Sequence, residues 1–425
     1  MAPHNVRRPF KRAAISDQQK RRELSLLRQA QNRRDAQQQA RCLASCILSL
    51  QSPVPESEPE AEQPDIELET ATEAEQECVA GASSKDLDAR RASKLRGPEV
   101  RKWFAKQLML PEWMIDVPDR LSQDWYVLAR PSGKRCLVVS SNGTTVSRQR
   151  NGSILHNFPS ALPAGAKTRD GSASGSGSAQ SYCILDCIFH ELDQTYYVID
   201  VVCWNGYSLY DCTAEFRFYW LNSKLEEING ASYYHKYRFS AVPVYNCDQN
   251  GLYTAYAGVV PYVKDGLLFY NKHAHYETGN TPLVLVWKDD NCSQYVIDTN
   301  SKGEIPSQQQ VVLELQDNGN LVTSDDPPVV FGMIQQSGLD HSGNLLRFAI
   351  SDGGLSFSDG KLDQADLNYL GKSNRARAFA DSYSKVLFQY RVRHSPLKID
   401  DLLLASINSP DDDQENKPCD MEMAG

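Results

Sequence analysis

Apolar and polar positions alternate differently in two parts of the chain. From about residue 98 onward, aromatic and β-branched residues fall in short runs separated by turn signals, the pattern of a strand-rich domain. Trp125–Leu128, Cys136–Ser140, Tyr182–Phe189, Thr195–Trp204, Phe216–Trp220, Gly266–Tyr270 and Leu283–Trp287 are predicted strands. Shorter ones are predicted at Val311–Leu315, Val329–Met333, Leu346–Ser351 and Val386–Val392. Asn142-Gly143, directly after the run CLVVS, predicts a hairpin. Asp363–Lys385 has a helix-like pattern, and Pro396–Ile407 predicts a closing helix. The class is therefore α+β.

Before residue 98 this pattern is absent. Residues 17–48 predict a helix that Asp17 can cap, rich in Gln, Arg, Leu and Ala and free of Gly and Pro. Its apolar face begins at Leu24 and Leu27 but continues into Gln31 and Arg34, so the stripe ends after about one turn. Such a helix has too little apolar surface for a core: it reads either as a solvated, charged helix or disordered tail, or as a segment that folds on an acidic partner. The longest apolar run in this part, Cys42–Leu50, is about half the length of a membrane-spanning helix, and the polar, basic residues before it do not form a signal peptide. No membrane association is expected.

Charge sharpens the division. The 425 residues carry 45 Lys and Arg against 54 Asp and Glu, a net −9. Residues 1–50 alone are +8, residues 51–80 are −10, and the remainder is −7. The total conceals a basic segment and an acidic spacer. Five segments are expected: 1–50, a basic helix region; 51–97, an acidic Pro- and Glu-rich disordered linker; 98–300, a folded domain; 301–408, a strand-rich extension in which Phe388-Gln-Tyr-Arg-Val-Arg393 resembles the last capping-enzyme motif, a resemblance that implies an OB-like fold; and 409–425, an acidic tail. The spacer acids are expected to shield the basic helix when no partner is bound.

Eleven scattered cysteines without a CxxC pair read as reduced thiols, and neither a metal nor a cofactor is expected. The Gly/Ser-rich stretch Lys167–Gln180 reads as a flexible surface loop. It holds Gly171-Ser-Ala-Ser-Gly175, which misses the GxSxG spacing and lacks the strand-to-helix turn of a nucleophile elbow.

The order of motifs in the folded domain resembles that of mRNA capping enzymes and DNA ligases, the covalent nucleotidyltransferases. Arg130-Pro-Ser-Gly-Lys-Arg135 stands where that family has its lysine motif K-x-D-G followed by an arginine. Leu185-Asp-Cys-Ile188, Asp265-Gly-Leu-Leu-Phe269 and Val286-Trp-Lys288 followed by Val296-Ile-Asp298 occupy the later motifs. The chemistry does not carry over. A nucleophilic amine must lose its proton, and the guanidinium of Arg130 stays protonated. Ser132 replaces the motif's Asp, and Ile188 replaces the Glu that would help hold a metal. No catalytic residue is assigned.

A closer resemblance is to the snurportin family of cap-binding import adaptors. It rests on KQLMLPEWMIDVP (106–118), Gln123-Asp-Trp125, Gly133-Lys-Arg135, Tyr182–Cys187, Gln194–Trp204, Phe216–Trp220, Asp265–Tyr270 and Thr281-Pro-Leu-Val284. Residues 18–44 separately resemble the importin-β-binding helix of snurportin and importin-α.

This resemblance implies a capping-enzyme-like fold whose antiparallel sheets form a pocket for the 2,2,7-trimethylguanosine cap of spliceosomal U snRNAs. The N-terminal helix would link the capped particle to importin-β, and the protein would shuttle between cytoplasm and nucleus. It implies cap contacts at Gln123, Asp124, Trp125, Val146, Ser147, Arg148, Leu162, Pro163, Trp287 and Lys288. Trp287 would stack on the methylated base, with a one-residue length difference after Pro282 in the match. It implies importin-β contacts at Arg21, Arg22, Arg28, Arg33, Arg34 and Arg41, which occur on several faces of the helix and suit an enclosing acidic partner. An exportin for recycling is a further implied partner, although this chain begins MAPHNVRRPFKRAAIS, basic and poor in spaced leucines.

A methylated guanine is cationic and stacks well on indole. Two N2-methyl groups replace donors with apolar surface, so a wall without an acceptor aimed at N2 selects the trimethyl form. Two other readings remain: a general RNA-binding protein with an arginine-rich arm, and an active guanylyltransferase. Only the last would form a covalent adduct with labelled GTP.

Overall fold

A computed structural model describes residues 9–29, 98–167, 181–229, 235–300, 302–334, 343–358, 361–374, 377 and 379–407. The helix expected beyond Gln29 with Arg33, Arg34 and Arg41, the acidic linker, most of the Gly/Ser stretch and the acidic tail lie outside the described residues.

The chain opens with α1 (Pro9–Gln29) and α2 (Pro98–Phe104), followed by β1 (Met109–Trp113) and the short α3 (Leu121–Asp124). Then come β2 (Trp125–Pro131), β3 (Lys134–Ser141), β4 (Thr144–Gln149), β5 (Ile154–Phe158), β6 (Tyr182–His190), β7 (Thr195–Trp204) and β8 (Tyr207–Ser208). After α4 (Ala214–Asn229) follow β9 (Arg238–Ala241), β10 (Tyr245–Asn246), α5 (Gln249–Ala257), β11 (Lys264–Asn271) and β12 (Gly279–Trp287). The last part holds β13 (Gln310–Leu315), β14 (Asn320–Val322), β15 (Val330–Met333), β16 (Leu345–Ser358), β17 (Lys361–Lys372), α6 (Tyr383–His394) and α7 (Ile399–Ile407).

Three sheets result. The first has the order β1-β12-β11-β2-β10 and is antiparallel except where β1 runs parallel to β12. The second runs β5-β4-β3-β6-β7-β8, with β9 added parallel to β7. The third, β15-β14-β13-β16-β17, is antiparallel throughout.

The first two sheets face each other across a core that includes Leu128, Leu268 and Val284 from one and Leu137, Ile184 and Ile199 from the other. The first sheet's far face carries Trp125, Phe269 and Trp287, covered by α5, α6 and α7. The second sheet's far face packs against Leu221 and Leu225 of α4. Both sheets are thus buried on both faces, which explains near-continuous apolar runs such as TYYVIDVVCW. The Asn142-Gly143 hairpin joins β3 to β4, with φ of 51° and 77°, the left-handed pair of a type I′ turn.

Four expected elements differ. The N-terminal helix begins at Pro9, so Asp17 lies inside it rather than at its N-terminus. Phe216–Trp220, expected as a strand, belongs to α4: Phe218, Leu221 and Leu225 share its buried face, while Phe216 and Tyr219 are exposed. Val386–Val392 is also helical, as part of α6. Ser382 caps its N-terminus, Val386 and Leu387 pack into the third sheet, and Phe388 packs under the first. A helix buried on two sides loses its polar stripe and looks like a strand in sequence. The helix-like Asp363–Lys372 instead pairs with β16 as β17, because Leu362, Ala365 and Leu367 find the third sheet's core. Pairing overrides propensity there.

The helix α1 lies against β12. Arg21 forms an ion pair with Glu112 at 2.5 Å, and Gln18 Nε2 donates to the same carboxylate at 3.0 Å. Arg22 donates to the Pro282 carbonyl at 3.3 Å, with its guanidinium 5.5 Å from the Trp125 ring centroid. Gln29 spans to the His273 carbonyl and the His275 amide. Among the described residues, Glu112 of the folded domain is thus an acid that engages the basic helix directly.

Candidate functional site

The β2–β3 turn sets the geometry of a cleft. Gly133 has φ of 142°, and a Cβ there would lie 2.2 Å from the Phe189 carbonyl oxygen. Only glycine allows this turn to lie so close to β6. It directs Arg130, at the end of β2, and Lys134 and Arg135, at the start of β3, into a cleft of about 640 Å³. Trp113 of β1 and Val286 and Lys288, at the end of β12, line another side. The remaining wall comes from Arg150, Tyr295, Arg377, Phe379 and their neighbours.

Seven lining residues are cationic, and two, Asp298 and Asp381, are anionic. Several cations are held from behind. Arg130 pairs with Asp265, and Lys288 Nζ binds the other oxygen of that carboxylate. Ser293 Oγ donates to it as well, at 2.7 Å. Burial would push the Asp265 carboxyl up, but Arg130 and Lys288 hold it below the ordinary carboxylate value. Lys288 is pushed below the ordinary lysine value by desolvation and then by Arg130.

Arg135 makes a two-pronged contact with the fully buried Asp186, at 3.1 and 2.8 Å. The Tyr276 hydroxyl donates to Asp186 at 2.8 Å, and Arg135 also donates to the Met109 carbonyl at 2.6 Å. Burial alone would lower the Arg135 guanidinium, but Asp186 more than offsets it and raises its pKa. The motif arginine is thus fixed as a rigid floor of the cleft. Ile188, at the position of the enzymes' metal-binding Glu, packs in the core between the two sheets.

Of the ten cap contacts implied by the sequence resemblance, Lys288 lines this cleft. Trp125 and Trp287 are buried on the far face of the first sheet, where the Trp287 indole N–H donates to the Leu397 carbonyl at 3.1 Å. Gln123 and Asp124 lie on α3, where Asp124 accepts from Arg120 Nε at 3.0 Å. Val146 faces the core between the sheets, and Ser147 Oγ shares a hydrogen bond of 2.7 Å with the Tyr196 hydroxyl. Arg148 lies in mid-strand, with its guanidinium 4.1 Å from the Phe104 ring centroid and Nη1 donating to the Gly152 carbonyl. Leu162 is in the second sheet's outer core, and the Pro163 carbonyl accepts from Ser140 Oγ at 2.6 Å.

Strand parity accounts for the tryptophan. Trp287 pairs with Leu267 on β11, and successive β12 side chains alternate, so Val286 faces the cleft side while Trp287 faces α5. The lining residues that the resemblance does not imply as cap contacts include Trp113, Val286, Arg150, Tyr295, Arg377 and Phe379. The basic motif 130–135 was the available signal for the cleft's location; nothing in the sequence brought the C-terminal residues to it.

Residues 107–289 match the family model "Snurportin1, m3G cap-binding domain". The matched segment includes the cleft residues from Leu110 to Lys288, and the match supports binding of a methylated RNA cap. Similar solved structures include a mycobacterial DNA ligase D complexed with ATP and MES, 13% identical over 65% of this chain and 99% of that one, TM-score 0.31. The ligase domain of M. tuberculosis LigD is 12% identical over 64% of this chain and 95% of that one, TM-score 0.27. A Lig E DNA ligase is 12% identical over 63% of this chain and 98% of that one, TM-score 0.27. Likenesses this weak carry no argument about function.

Among the described residues, no helix is long and apolar enough to cross a membrane.

Proposed function

We propose that this chain binds the trimethylguanosine cap of U snRNA in the cleft and serves as an import adaptor that joins the capped particle to importin-β. The observation that carries the proposal is the match of residues 107–289 to the cap-binding domain. The cleft chemistry supports it. Trp113 and Val286 offer aromatic and aliphatic wall for a methylated base, and Arg130, Lys134 and Lys288 offer charge for phosphates. Binding is favoured over catalysis because Arg130, paired with Asp265, stands where a nucleophilic lysine would be needed.

Competition for a labelled trimethyl-capped RNA tests this reading. The trimethylated cap analogue is expected to compete at a concentration lower by about thirtyfold or more than the monomethylated one, since each of its two extra methyl groups is worth about 1–3 kcal/mol in an apolar pocket. Equal competition by both analogues would reject cap selectivity.

The importin-β part of the proposal rests on the basic helix, and shuttling between cytoplasm and nucleus follows from it. Arg21 and Arg22 are already engaged by the folded domain, whereas Lys20 and Arg28 are exposed. A partner that encloses the helix must first displace it from Glu112. Glu112→Ala is therefore expected to tighten importin-β binding about three- to tenfold, because a competent state populated more often binds with higher apparent affinity. Titration of the full-length variant with importin-β measures it; unchanged affinity would mean that the contact with Glu112 does not compete.

A further inference from the structure

The matched segment ends at residue 289, but the cleft does not. Its far wall is built by Arg377, Phe379, Asp381 and Lys385 together with Tyr295 and Asp298. This wall is firmly attached to the matched segment. Trp113 N donates to Ser384 Oγ at 3.1 Å, and Arg391 pairs with Asp116 at 2.9 Å.

Most cations around the cleft have a carboxylate. Arg377 and Lys385 share Asp381, and Lys385 also reaches Asp298. Arg130 and Lys288 share Asp265, Arg135 has Asp186, and Lys134 pairs with Glu191 at the exposed rim. Arg150, just beyond β4, is different. Among the described residues it has no carboxylate within ion-pair distance, and its guanidinium lies 5.9 Å from the Phe379 ring centroid. Its pKa is pushed below the ordinary arginine value, first by desolvation and then by the like charges of Arg135 and Arg377. A guanidinium whose like-charged neighbours are only partly offset by Asp381 gains from an anion in the cleft.

We infer that Arg150 and Arg377, with Phe379 between them, form a subsite for a chain of phosphates, so that the C-terminal unit supplies half of the ligand site. The inference rests on the cap reading for its ligand, since the bridge of a cap is a triphosphate, but its chemistry stands separately. Two sources carry that chemistry, the triphosphate bridge and the phosphodiesters of the following nucleotides.

The test uses the full-length chain and three probes: inorganic tripolyphosphate, trimethylguanosine nucleoside without phosphate, and a short uncapped RNA with a 5′-hydroxyl. Arg150→Gln removes a group without an ion-pair partner among the described residues, so folding is expected to survive. It should weaken the phosphate ligand about tenfold, the size expected for a charge-assisted hydrogen bond, and reduce the salt dependence of binding by about one counterion. Nucleoside affinity should not change. Phe379→Ala should weaken the same phosphate probe. Loss confined to tripolyphosphate identifies the cap bridge; loss confined to the uncapped RNA identifies the following phosphodiesters. Failure of the nucleoside to bind the wild type would count against the cap reading and leave the phosphate arm intact. Equal affinity of wild type and Arg150→Gln for both phosphate probes, or no phosphate binding at all, would overturn the inference.

Discussion

Trp287→Ala is expected to cost about 3–5 kcal/mol of folding stability, the usual loss when a buried aromatic is truncated in a core. Cap affinity of the folded fraction should stay unchanged. Trp287 is fully buried among Leu252, Phe269 and Leu402, and its indole N–H is satisfied by the Leu397 carbonyl. Alanine would leave a void and an unpaired carbonyl, and would loosen the seat of α7. Urea denaturation measures the first effect, and fluorescence titration with cap analogue below the unfolding transition measures the second. Full stability with cap binding lost would place Trp287 against the ligand, as the sequence resemblance implies, and would require β12 to present its other face. Val286→Ala is the companion variant: it removes a cleft-facing side chain, so its effect should be seen in affinity.

The contrast shows what a sequence can and cannot convey about such a site. The strands of the first two sheets were legible because both faces of each sheet are covered, leaving long apolar runs between turns. The basic motif Arg130–Arg135 was legible as a location, because Gly133 and the two following cations have a required spacing. Which residue of Val286-Trp287 faces the ligand was not legible. A shift of one residue reverses every side chain on a strand, and the match carried a one-residue length difference at that point. The helices α4 and α6 were read as strands because they are apolar on more than one side. The contact of Arg21 with Glu112 and the approach of Arg150 to the Phe379 ring join residues far apart in the chain. Local pattern contains no information about such pairs.

Arg135→Ala is expected to be the most damaging change within the cleft itself, costing about 3–5 kcal/mol near neutral pH. The reason is the partner left behind. Asp186 is fully buried, and its remaining hydrogen bond comes from Tyr276. Desolvation already holds the Asp186 carboxyl above its ordinary value of about 3.9 with Arg135 in place, and loss of the guanidinium raises it further. The folded variant then binds more protons than the unfolded chain at pH values between those two constants. Its stability is therefore fullest at low pH and is lost as pH rises through that window. Urea denaturation at pH 5 and pH 8 should show the larger deficit at pH 8. Arg135→Ala combined with Asp186→Leu removes the stranded charge and should recover most of the loss, because an apolar pair replaces a buried ion pair at little cost. An equal deficit at both pH values, with no recovery in the double variant, would mean that Arg135 stabilises by packing alone. If the pH dependence is found, this arginine is both a cleft wall and the counter-ion of a buried carboxylate. A ligand phosphate would then meet a cation held in place before binding, with little ordering cost on association.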